Sequence, residues 1–279
     1  MKHGVEVVRR FLTRTADSRT SISDQKEYVS FCAAAASDDR LFATFRHTDP
    51  IVKTFEHVDE ALGRRYLDVI RRDAPDYLEP PSLERIRRND IAGSPRLYAF
   101  EETGLMSPVT LRYVKVLSDL RRLFGDLTGM SIVEIGVGYG GQCRLICEFW
   151  PLRSFTLIDL DPVLALADRY LNAVGVVPRP ELLRHGVVRP ARYDLVISNY
   201  AFTELDRRVQ ARYASEIVSH ADRGYITCNF ISSIFGVDSW SRGELENLHP
   251  GSHWLPEEPL TFEGNSILVW GGDNRPRVA

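Results

Sequence analysis

A run of glycines directly follows a short hydrophobic stretch in the middle of the chain. The stretch reads Val133-Glu134-Ile135, and four glycines occupy the next six positions. Glycine permits tight turns with positive φ and, lacking a side chain, lets a ligand approach the backbone. Asp159 ends the next hydrophobic run, 23 residues after Gly136, where its carboxylate can accept hydrogen bonds from ribose hydroxyls. The spacing indicates one β-α-β unit that binds a nucleotide-like ligand.

Two ligand classes compete for this turn. Gly136, Gly138 and Gly141 fit the G-x-G-x-x-G pattern of dinucleotide sites. Glu134, together with Gly136, Gly138 and Gly140, fits E-x-G-x-G-x-G, the pattern of S-adenosylmethionine sites. The carboxylate decides between them, because it would repel a pyrophosphate and attract a ligand that carries a sulfonium and an ammonium group. Without such a ligand, a carboxylate within a hydrophobic strand would cost free energy. We therefore expect S-adenosylmethionine as the cofactor.

Strands and helices alternate around this turn. Short hydrophobic runs predict strands over residues 131–135, 154–160, 181–184, 193–198, 225–230 and 266–270. Helical patterns lie between them, over residues 140–150, 162–174 and 206–220. Such alternation implies right-handed crossovers and a parallel sheet covered on both faces. The expected fold class is therefore α/β.

The sequence before the turn has helical character. Ser107 and Pro108 supply an N-cap and a first-turn proline, and hydrophobic residues at three-to-four spacing predict an amphipathic helix up to Gly125. Residues 28–45 and 51–72 also have helical patterns, and a segment rich in proline and glycine follows them. We expect a helical cap over residues 1–106 and a ligand-binding domain over residues 107–279.

Charge and cysteine content exclude several classes of protein. Lys and Arg number 35 against 38 Asp and Glu, a balance that argues against nucleic acid as the main partner. No hydrophobic run approaches the roughly 18 residues of a membrane span. The four cysteines lack the spacing of a disulfide framework. A cytoplasmic protein is expected, and a homodimer is left open.

Several stretches resemble known families. Residues 131–230 resemble class I S-adenosylmethionine-dependent methyltransferases in the glycine turn, at residues 157–162 and at residues 193–200. Residues 107–113, 198–205 and 255–261 are similar to the sugar O-methyltransferase family. The resemblance implies a Rossmann-like sheet of seven strands whose last strand, around residues 266–270, is antiparallel. The sequence departs from the family pattern at His185, where an acidic or amide residue often meets adenine.

The same resemblance implies roles for individual residues. Glu134 and the glycines would hold the methionine end of the cofactor, Asp159 the ribose, and residues 198–200 would surround the transferred methyl group. From its position on the helix before the turn, and not from the resemblance, Arg112 can reach the cofactor carboxylate or the acceptor; the alternative is a solvated arginine. The expected cofactor-binding residues are Glu134, Gly136, Gly138, Gly140, Gln142, Asp159, Ser198, Asn199 and Arg112.

Methyl transfer to a hydroxyl needs in-line alignment and a base or a metal ion. Glu204 follows the fourth predicted strand by one turn and is the first candidate, although it can equally stabilise the following helix. His253, in a predicted loop beside Trp254, is a second candidate with an ordinary pKa near 6.5, or a structural histidine. Tyr200 is expected to line the methyl pocket. Whether Mg²⁺ is held by Glu204, Asp206 and Asp238 is left open.

These features together predict an O-methyltransferase that acts on a sugar or oligosaccharide hydroxyl. By analogy, a precursor of a methylated mannose-type polysaccharide is one acceptor of this kind. Three alternatives remain: an O- or N-methyltransferase of natural products, a nicotinamide-dependent oxidoreductase, and a cofactor-binding module without catalytic activity.

Overall fold

The computed structural model describes residues 20–23, 25–187 and 191–272, so predictions for residues 1–19 lie outside the described residues. Its α-helices are α1 (Lys26–Ser37), α2 (Asp39–Thr44), α3 (Asp49–Thr54), α4 (Glu60–Asp73), α5 (Pro80–Arg87), α6 (Pro108–Phe124), α7 (Gly141–Phe149), α8 (Asp161–Ala173), α9 (Arg207–Glu216) and α10 (Arg242–Leu245). Short 3₁₀ turns join them at Phe45–His47, Pro75–Leu78, Arg88–Asp90, Ala201–Glu204, Val218–His220 and Ser232–Phe235. None of the helices in these ranges is long and apolar enough to cross a bilayer.

The strands form a hairpin and a large sheet. The hairpin pairs β1 (Tyr98–Phe100) with β2 (Gly104–Met106). The sheet contains β3 (Ser131–Ile135), β4 (Ser154–Asp159), β5 (Glu181–Arg184), β6 (Leu195–Asn199), β7 (Gly224–Cys228), β8 (His253–Pro256) and β9 (Ser266–Trp270). Its order is β5-β4-β3-β6-β7-β9-β8, and β9 runs antiparallel to both of its neighbours. The prediction of a Rossmann-like α/β sheet of seven strands with an antiparallel last strand is confirmed.

Two parts of the strand prediction are wrong. The sequence predicts a loop over residues 248–255, but residues 253–256 form β8, which pairs with β9 at the edge of the sheet. The sequence also predicts no strand between residues 73 and 106, where the β1–β2 hairpin lies. These strands are three or four residues long, which is too short for alternation to be recognised.

The helix before the glycine turn has the ends that the sequence predicts. The Ser107 side chain accepts from the Val109 amide, Pro108 occupies the first turn, and α6 ends at Gly125 with φ +75°. Most of its residues are buried because α6 packs between α4 and α7. The helix therefore carries its side chains, Arg112 among them, to the region of the glycine turn.

Alternate residues of the central strands pack into two separate cores. Ile132, Leu157 and Ile197 belong to the core that includes α1, α4, α6, α7 and α8, and Val133 and Val196 belong to the core under α9. This alternation explains the uninterrupted hydrophobic runs, since both faces of a central parallel sheet are covered. Glu134 shares the face of Ile132 and points toward the helices that precede β3.

A fully buried arginine ties the helical region to the start of α6. The Arg46 guanidinium pairs with Glu56 at 2.5 Å and with Asp90 at 3.0 Å, and it donates to the Ser107 hydroxyl at 3.3 Å. The Arg46 side chain has no exposed surface. An ion pair that is buried to this degree strongly disfavours the loss of one partner, because the other charge is left uncompensated.

We expect Arg46→Met to lower the free energy of unfolding by about 3–5 kcal/mol, because Glu56 and Asp90 would lose their counter-charge. Urea unfolding followed by circular dichroism measures this change. Arg212→Met removes an exposed pair with Glu216 on α9 and should change stability by about 0.5 kcal/mol or less. Equal effects of the two substitutions would contradict the assigned role of Arg46.

Candidate functional site

A cavity of about 800 Å³ opens at the carboxyl ends of β3, β4, β6 and β7. Open parallel sheets bind ligands at this edge, and ligand sites typically measure roughly 300–1,000 Å³. The walls are the sheet edge, the helices before β3 and the segment between β8 and β9. Residues 21–23 cross one side, where the Ile22 amide donates to the Glu204 carbonyl at 3.1 Å.

The structure brings most of the predicted site residues to this cavity. Those that line it are Arg112, Glu134, Gly136, Gly138, Gln142, Asp159, Asn199, Tyr200 and Glu204. Gly140 and Ser198 do not line it: Gly140 faces Leu171, and the Ser198 hydroxyl donates to the Ile135 carbonyl at 2.8 Å and accepts from the Phe202 amide. Ser198 therefore links two strands and a turn, which corrects the expectation that it contacts the cofactor.

His253 is also away from the cavity, contrary to the prediction of a loop histidine over the acceptor. It lies on β8 opposite Val269, at the edge of the sheet, and its Nδ1 is buried without a hydrogen-bond partner among the described residues. The neighbouring Trp254 stacks under the Arg242 guanidinium, 4.2 Å from the ring centroid. His253 thus lies at the sheet edge and not among the residues that line the cavity.

The glycine turn depends on close approach between parts of the protein. Gly136 has φ +78°, and a Cβ there would lie 2.0 Å from the Cβ of Ala201. Gly138 has φ +54°, and a Cβ there would lie 2.9 Å from the ring of Phe55. A side chain at either position would therefore collide with Ala201 or Phe55. Both glycines also line the cavity, and the expectation that they make room for a ligand stays a prediction.

Asp159 fastens the glycine turn to the end of β4. Its Oδ2 accepts from the amides of Val137 at 2.8 Å and Gly138 at 3.1 Å, and its Oδ1 accepts from the Leu160 amide at 2.7 Å. Burial raises the pKa of Asp159 to about 6, and the three backbone amides oppose this shift. Asp159, which the sequence predicts to bind a ribose, therefore already holds the glycine turn in place through its hydrogen bonds.

Four buried polar atoms at the cavity have no hydrogen-bond partner among the described residues. They are Oε2 of Glu134, Oε1 of Gln142, Nδ2 of Asn199 and Oδ1 of Asn265. Glu134 is 2% exposed, and burial, followed by repulsion from Asp159, raises the pKa of its carboxyl. Buried polar groups in folded proteins are usually paired, so these four indicate where a ligand would supply hydrogen-bond partners.

Arg112 brings a positive charge to the same cavity. Its Nη2 donates to the Phe55 carbonyl at 3.3 Å, and its guanidinium lies 5.5 Å from the ring centroid of Tyr113. No ion pair joins it to a carboxylate within the ranges that the structure describes. Burial acts to lower the pKa of Arg112, but neighbouring tyrosines, among them Tyr66 and Tyr200, raise it overall. The guanidinium remains available to an anionic group of a ligand.

Glu204 stands in the 3₁₀ turn after β6. Its Oε1 accepts from Nδ2 of Asn229 at 2.7 Å, and the backbone amide of Asn229 donates to the Thr203 hydroxyl. Burial raises the pKa of Glu204 to about 7, and the hydrogen bond from Asn229 opposes this shift. A carboxyl with this pKa can both accept and release a proton near neutral pH.

Several residues that the sequence does not mark as site residues line the cavity. They are Asn229 after β7 and three residues between β8 and β9, Glu257, Thr261 and Asn265. Glu257 and Thr261 lie within the stretch 255–261 that resembles sugar O-methyltransferases, so a signal is present. Asn229 carries no pattern that distinguishes it from core residues.

Two of the three carboxylates considered for Mg²⁺, Asp206 and Asp238, have other partners, while Glu204 lines the cavity. Asp206 caps α9 by accepting from the Arg208 amide, and Asp238 lies 3.4 Å from Arg207. Within the described ranges, no three His, Cys, Asp or Glu side chains are grouped as a metal site would require.

The fold is similar to that of solved methyltransferases. Magnesium protoporphyrin IX methyltransferase from Synechocystis PCC 6803, solved with bound S-adenosylmethionine, aligns with a TM-score of 0.46 and 14% identity, over 76% of this chain and 98% of that enzyme. An S-adenosylmethionine-dependent methyltransferase from Clostridium acetobutylicum aligns with a TM-score of 0.43 and 12% identity, over 58% of this chain and 90% of that one.

A third similar structure is an O-methyltransferase from neocarzinostatin biosynthesis, in complex with S-adenosylmethionine and 2-hydroxy-5-methyl naphthoic acid. It aligns with a TM-score of 0.40 and 17% identity, and the match spans 57% of this chain and 56% of that enzyme. No protein-family model matches the sequence, and no curated protein matches it.

The raised pKa of Glu204 makes stability depend on pH in a defined direction. The folded chain holds a proton on Glu204 that the unfolded chain releases near pH 4.5, so the free energy of unfolding should fall as the pH rises from about 4.5 to about 7. Glu204→Gln cannot titrate and should make this fall shallower. Urea unfolding between about pH 5 and pH 8 measures both slopes.

Asp159 also has a raised pKa, so it makes the free energy of unfolding fall with rising pH in both the wild type and Glu204→Gln. The difference between the slopes of these two proteins therefore isolates Glu204. Glu216→Gln, at an exposed carboxylate of α9, is the matched control and should keep the wild-type slope. Identical slopes for the wild type and Glu204→Gln would refute the assignment of a raised pKa to Glu204.

Proposed function

We propose that the protein is an S-adenosylmethionine-dependent O-methyltransferase that acts on a hydroxyl group of a sugar or oligosaccharide. The observation that carries the cofactor is the Glu134 carboxylate, which is buried at the glycine turn with Oε2 unpaired among the described residues. A buried carboxylate needs a cation or donors to compensate its desolvation. The ammonium group of the cofactor's methionine part supplies both.

The charges at the cavity suit the zwitterionic end of this cofactor. Glu134 would bind the ammonium, and Arg112, which is not ion-paired within the described ranges, would bind the carboxylate. Oε1 of Gln142 offers a further acceptor beside them. A pyrophosphate, by contrast, would meet the Glu134 carboxylate with like charge, which disfavours the nicotinamide-dependent oxidoreductase.

The rest of the cofactor would lie along the sheet edge. Asp159 would bind the ribose, and His185, a cavity residue hydrogen-bonded through Nδ1 to the Tyr213 hydroxyl at 3.0 Å, would stand at the adenine end. When bound, the cofactor supplies an electrophilic methyl group on a sulfonium. The chain's own residues have to hold it, exclude water and align the acceptor with it.

Glu204 is our candidate for the base that takes the proton of the acceptor hydroxyl. A pKa of about 7 leaves a substantial fraction ionised at neutral pH, while the conjugate acid can still return its proton to solvent. The hydrogen bond from Asn229 holds the carboxylate in place. Tyr200 and Asn199 stand shortly before it in the chain and would orient the hydroxyl beside it.

The polar lining supports a sugar as the acceptor. Asn199 presents an amide donor and Asn265 a buried amide oxygen, both unpaired among the described residues, while Tyr66 adds an aromatic ring to the wall. Sugar hydroxyls both donate and accept, so they can satisfy such a mixed set. The helices before residue 107, with α4 contributing Tyr66, would serve as the platform on which the acceptor rests.

One observation favours a natural-product acceptor instead. Leu260 and Phe262, beside the cavity, are 47% and 41% exposed, and exposed hydrophobic residues at a binding site suit an apolar ligand. An O- or N-methyltransferase of small apolar molecules is therefore the second candidate. The two candidates share the cofactor and differ in the acceptor.

We expect Glu134→Gln to weaken the binding of S-adenosylhomocysteine about 30-fold, roughly 2 kcal/mol, because the ammonium would lose its counter-charge. Isothermal titration calorimetry measures the affinity, and the ligand-induced rise in melting temperature should shrink accordingly. Glu181→Gln, an exposed carboxylate on the edge strand β5, should bind as the wild type does. Binding of NAD in place of S-adenosylhomocysteine would contradict the proposed cofactor.

The acceptor class is tested with labelled S-adenosylmethionine and a panel of p-nitrophenyl glycosides, mannose oligosaccharides, phenols and amines. We expect transfer to at least one saccharide and none to the phenols and amines. Glu204→Gln should lower kcat by about 10²–10⁴-fold, and the wild-type rate should rise with pH through about 7, the pKa of Glu204. Transfer to phenols alone would replace the sugar by the natural-product alternative.

A further inference from the structure

The segment between β8 and β9, residues 257–265, forms one wall of the cavity, and we call it the acceptor wall. Glu257, Thr261, Phe262 and Asn265 of this wall line the cavity. Glu257 is 5% exposed, so its carboxylate is held inside the protein. It belongs to neither of the two groups assigned above, the cofactor-binding set and the candidate base.

Several hydrogen bonds of the acceptor wall converge on the Glu257 carboxylate. The Thr261 amide donates to Oε2 at 2.7 Å, and the Thr261 hydroxyl lies within 2.9 Å of both oxygens. The Tyr200 hydroxyl donates to Oε1 from across the cavity edge, 57 residues away in sequence. Asn265 extends the cluster by donating to the Thr261 hydroxyl at 2.9 Å. Two donor groups of the wall and one from the sheet edge thus converge on a single carboxylate.

The backbone at Tyr200 explains why its side chain reaches the wall. Tyr200 has φ +67°, a conformation that residues other than glycine rarely adopt, and its amide donates to the Thr227 carbonyl at 2.8 Å. The same bend brings Ala201 against Gly136 of the glycine turn. The bend therefore relates the position of the Tyr200 ring to that of the turn at which the cofactor is proposed to bind.

The outer side of the wall is fastened to α4. Arg65 donates through Nη2 to the Leu260 carbonyl at 3.1 Å, and the Arg72 guanidinium pairs with Glu258 at 2.6 Å. The wall is thus held from inside by Tyr200 and from outside by two arginines. This double attachment makes it a fixed surface for an acceptor molecule.

The direction of the hydrogen bond at Tyr200 carries chemical information. The Tyr200 hydroxyl donates to Oε1 of Glu257, so the phenolic proton is committed to that carboxylate. Tyr66 is also hydrogen-bonded to Tyr200, and the phenolic oxygen still offers a lone pair to the cavity that Tyr200 lines. Toward a ligand, Tyr200 is then an acceptor of hydrogen bonds and not a donor.

We propose that Glu257 is a positioning residue that makes the site distinguish the acceptor hydroxyl from its methylated product. This inference rests on the proposed function. Before the transfer, a free hydroxyl can donate its hydrogen bond to the Tyr200 oxygen, and the same proton turns to Glu204 as the methyl group is transferred. The product ether has no such proton, loses this hydrogen bond and is bound more weakly. By fixing the phenolic proton, Glu257 favours substrate entry and product release.

The test uses a p-nitrophenyl glycoside that the wild type methylates and the same glycoside carrying the O-methyl group. We expect the wild type to have an inhibition constant for the methylated glycoside about five- to tenfold above KM for the free glycoside, as one lost hydrogen bond would give. Glu257→Ala should bring this ratio near one, because the released Tyr200 hydroxyl can donate to the ether oxygen. KM should change more than kcat.

Two further variants keep the test decisive. Tyr200→Phe removes the phenolic oxygen and should also abolish the discrimination, so it answers the question even where Glu257→Ala folds poorly. Glu263→Gln changes an exposed carboxylate of the same wall and should keep the wild-type ratio. Unchanged affinity for S-adenosylhomocysteine in each variant indicates that the fold and the cofactor site are intact.

The outcomes separate this inference from the function on which it rests. A wild type that methylates no saccharide contradicts the proposed function. A wild type that methylates a glycoside but binds its ether equally well overturns the role of Glu257. That role is also overturned where Glu257→Ala and Tyr200→Phe both keep the wild-type ratio, or where they lower kcat with the ratio unchanged.

Discussion

The site is built around the buried carboxyl group of Glu134, whose pKa is raised by burial and then by repulsion from Asp159. Glu134 lies in a central strand whose inward-facing neighbours are hydrophobic, and desolvation of an unpaired carboxylate opposes folding. Proteins tolerate such a cost where function requires it. The backbone amides of the glycine turn do not compensate this cost, because they donate hydrogen bonds to Asp159. The cationic ligand that we propose for this edge would compensate the cost.

The two sides of the cavity depend on one bend in the backbone. Tyr200 adopts positive φ at the end of β6, and this places Ala201 against Gly136 on one side and the phenol against Glu257 on the other. A larger residue at position 136 would displace Ala201 and, through the bend, the acceptor wall. Binding at the turn and the shape of the acceptor region are in this way mechanically linked, although they lie on different strands.

The sequence predicts what local patterns determine. The ends of α6, the glycine turn and Asp159 at the end of β4 follow from capping, spacing and hydrophobic runs, and all are found. The predicted position of His253 is wrong, because a four-residue strand beside His249-Pro250-Gly251 has the pattern of a loop. The contact between Glu257 and Tyr200 is not predicted for another reason. It joins residues 57 positions apart, and no local pattern encodes such a pairing.

Asp159 limits how a ribose can bind. A carboxylate offers about four lone-pair sites, and three are used by backbone amides, two at Oδ2 and one at Oδ1. One hydroxyl can take the remaining site at Oδ1, but a second must displace an amide of the turn. Burial raises the pKa of Asp159 to about 6 even though the three amides stabilise the charged form. An added hydroxyl donor would lower that pKa, so cofactor binding near pH 6 should release a proton from Asp159.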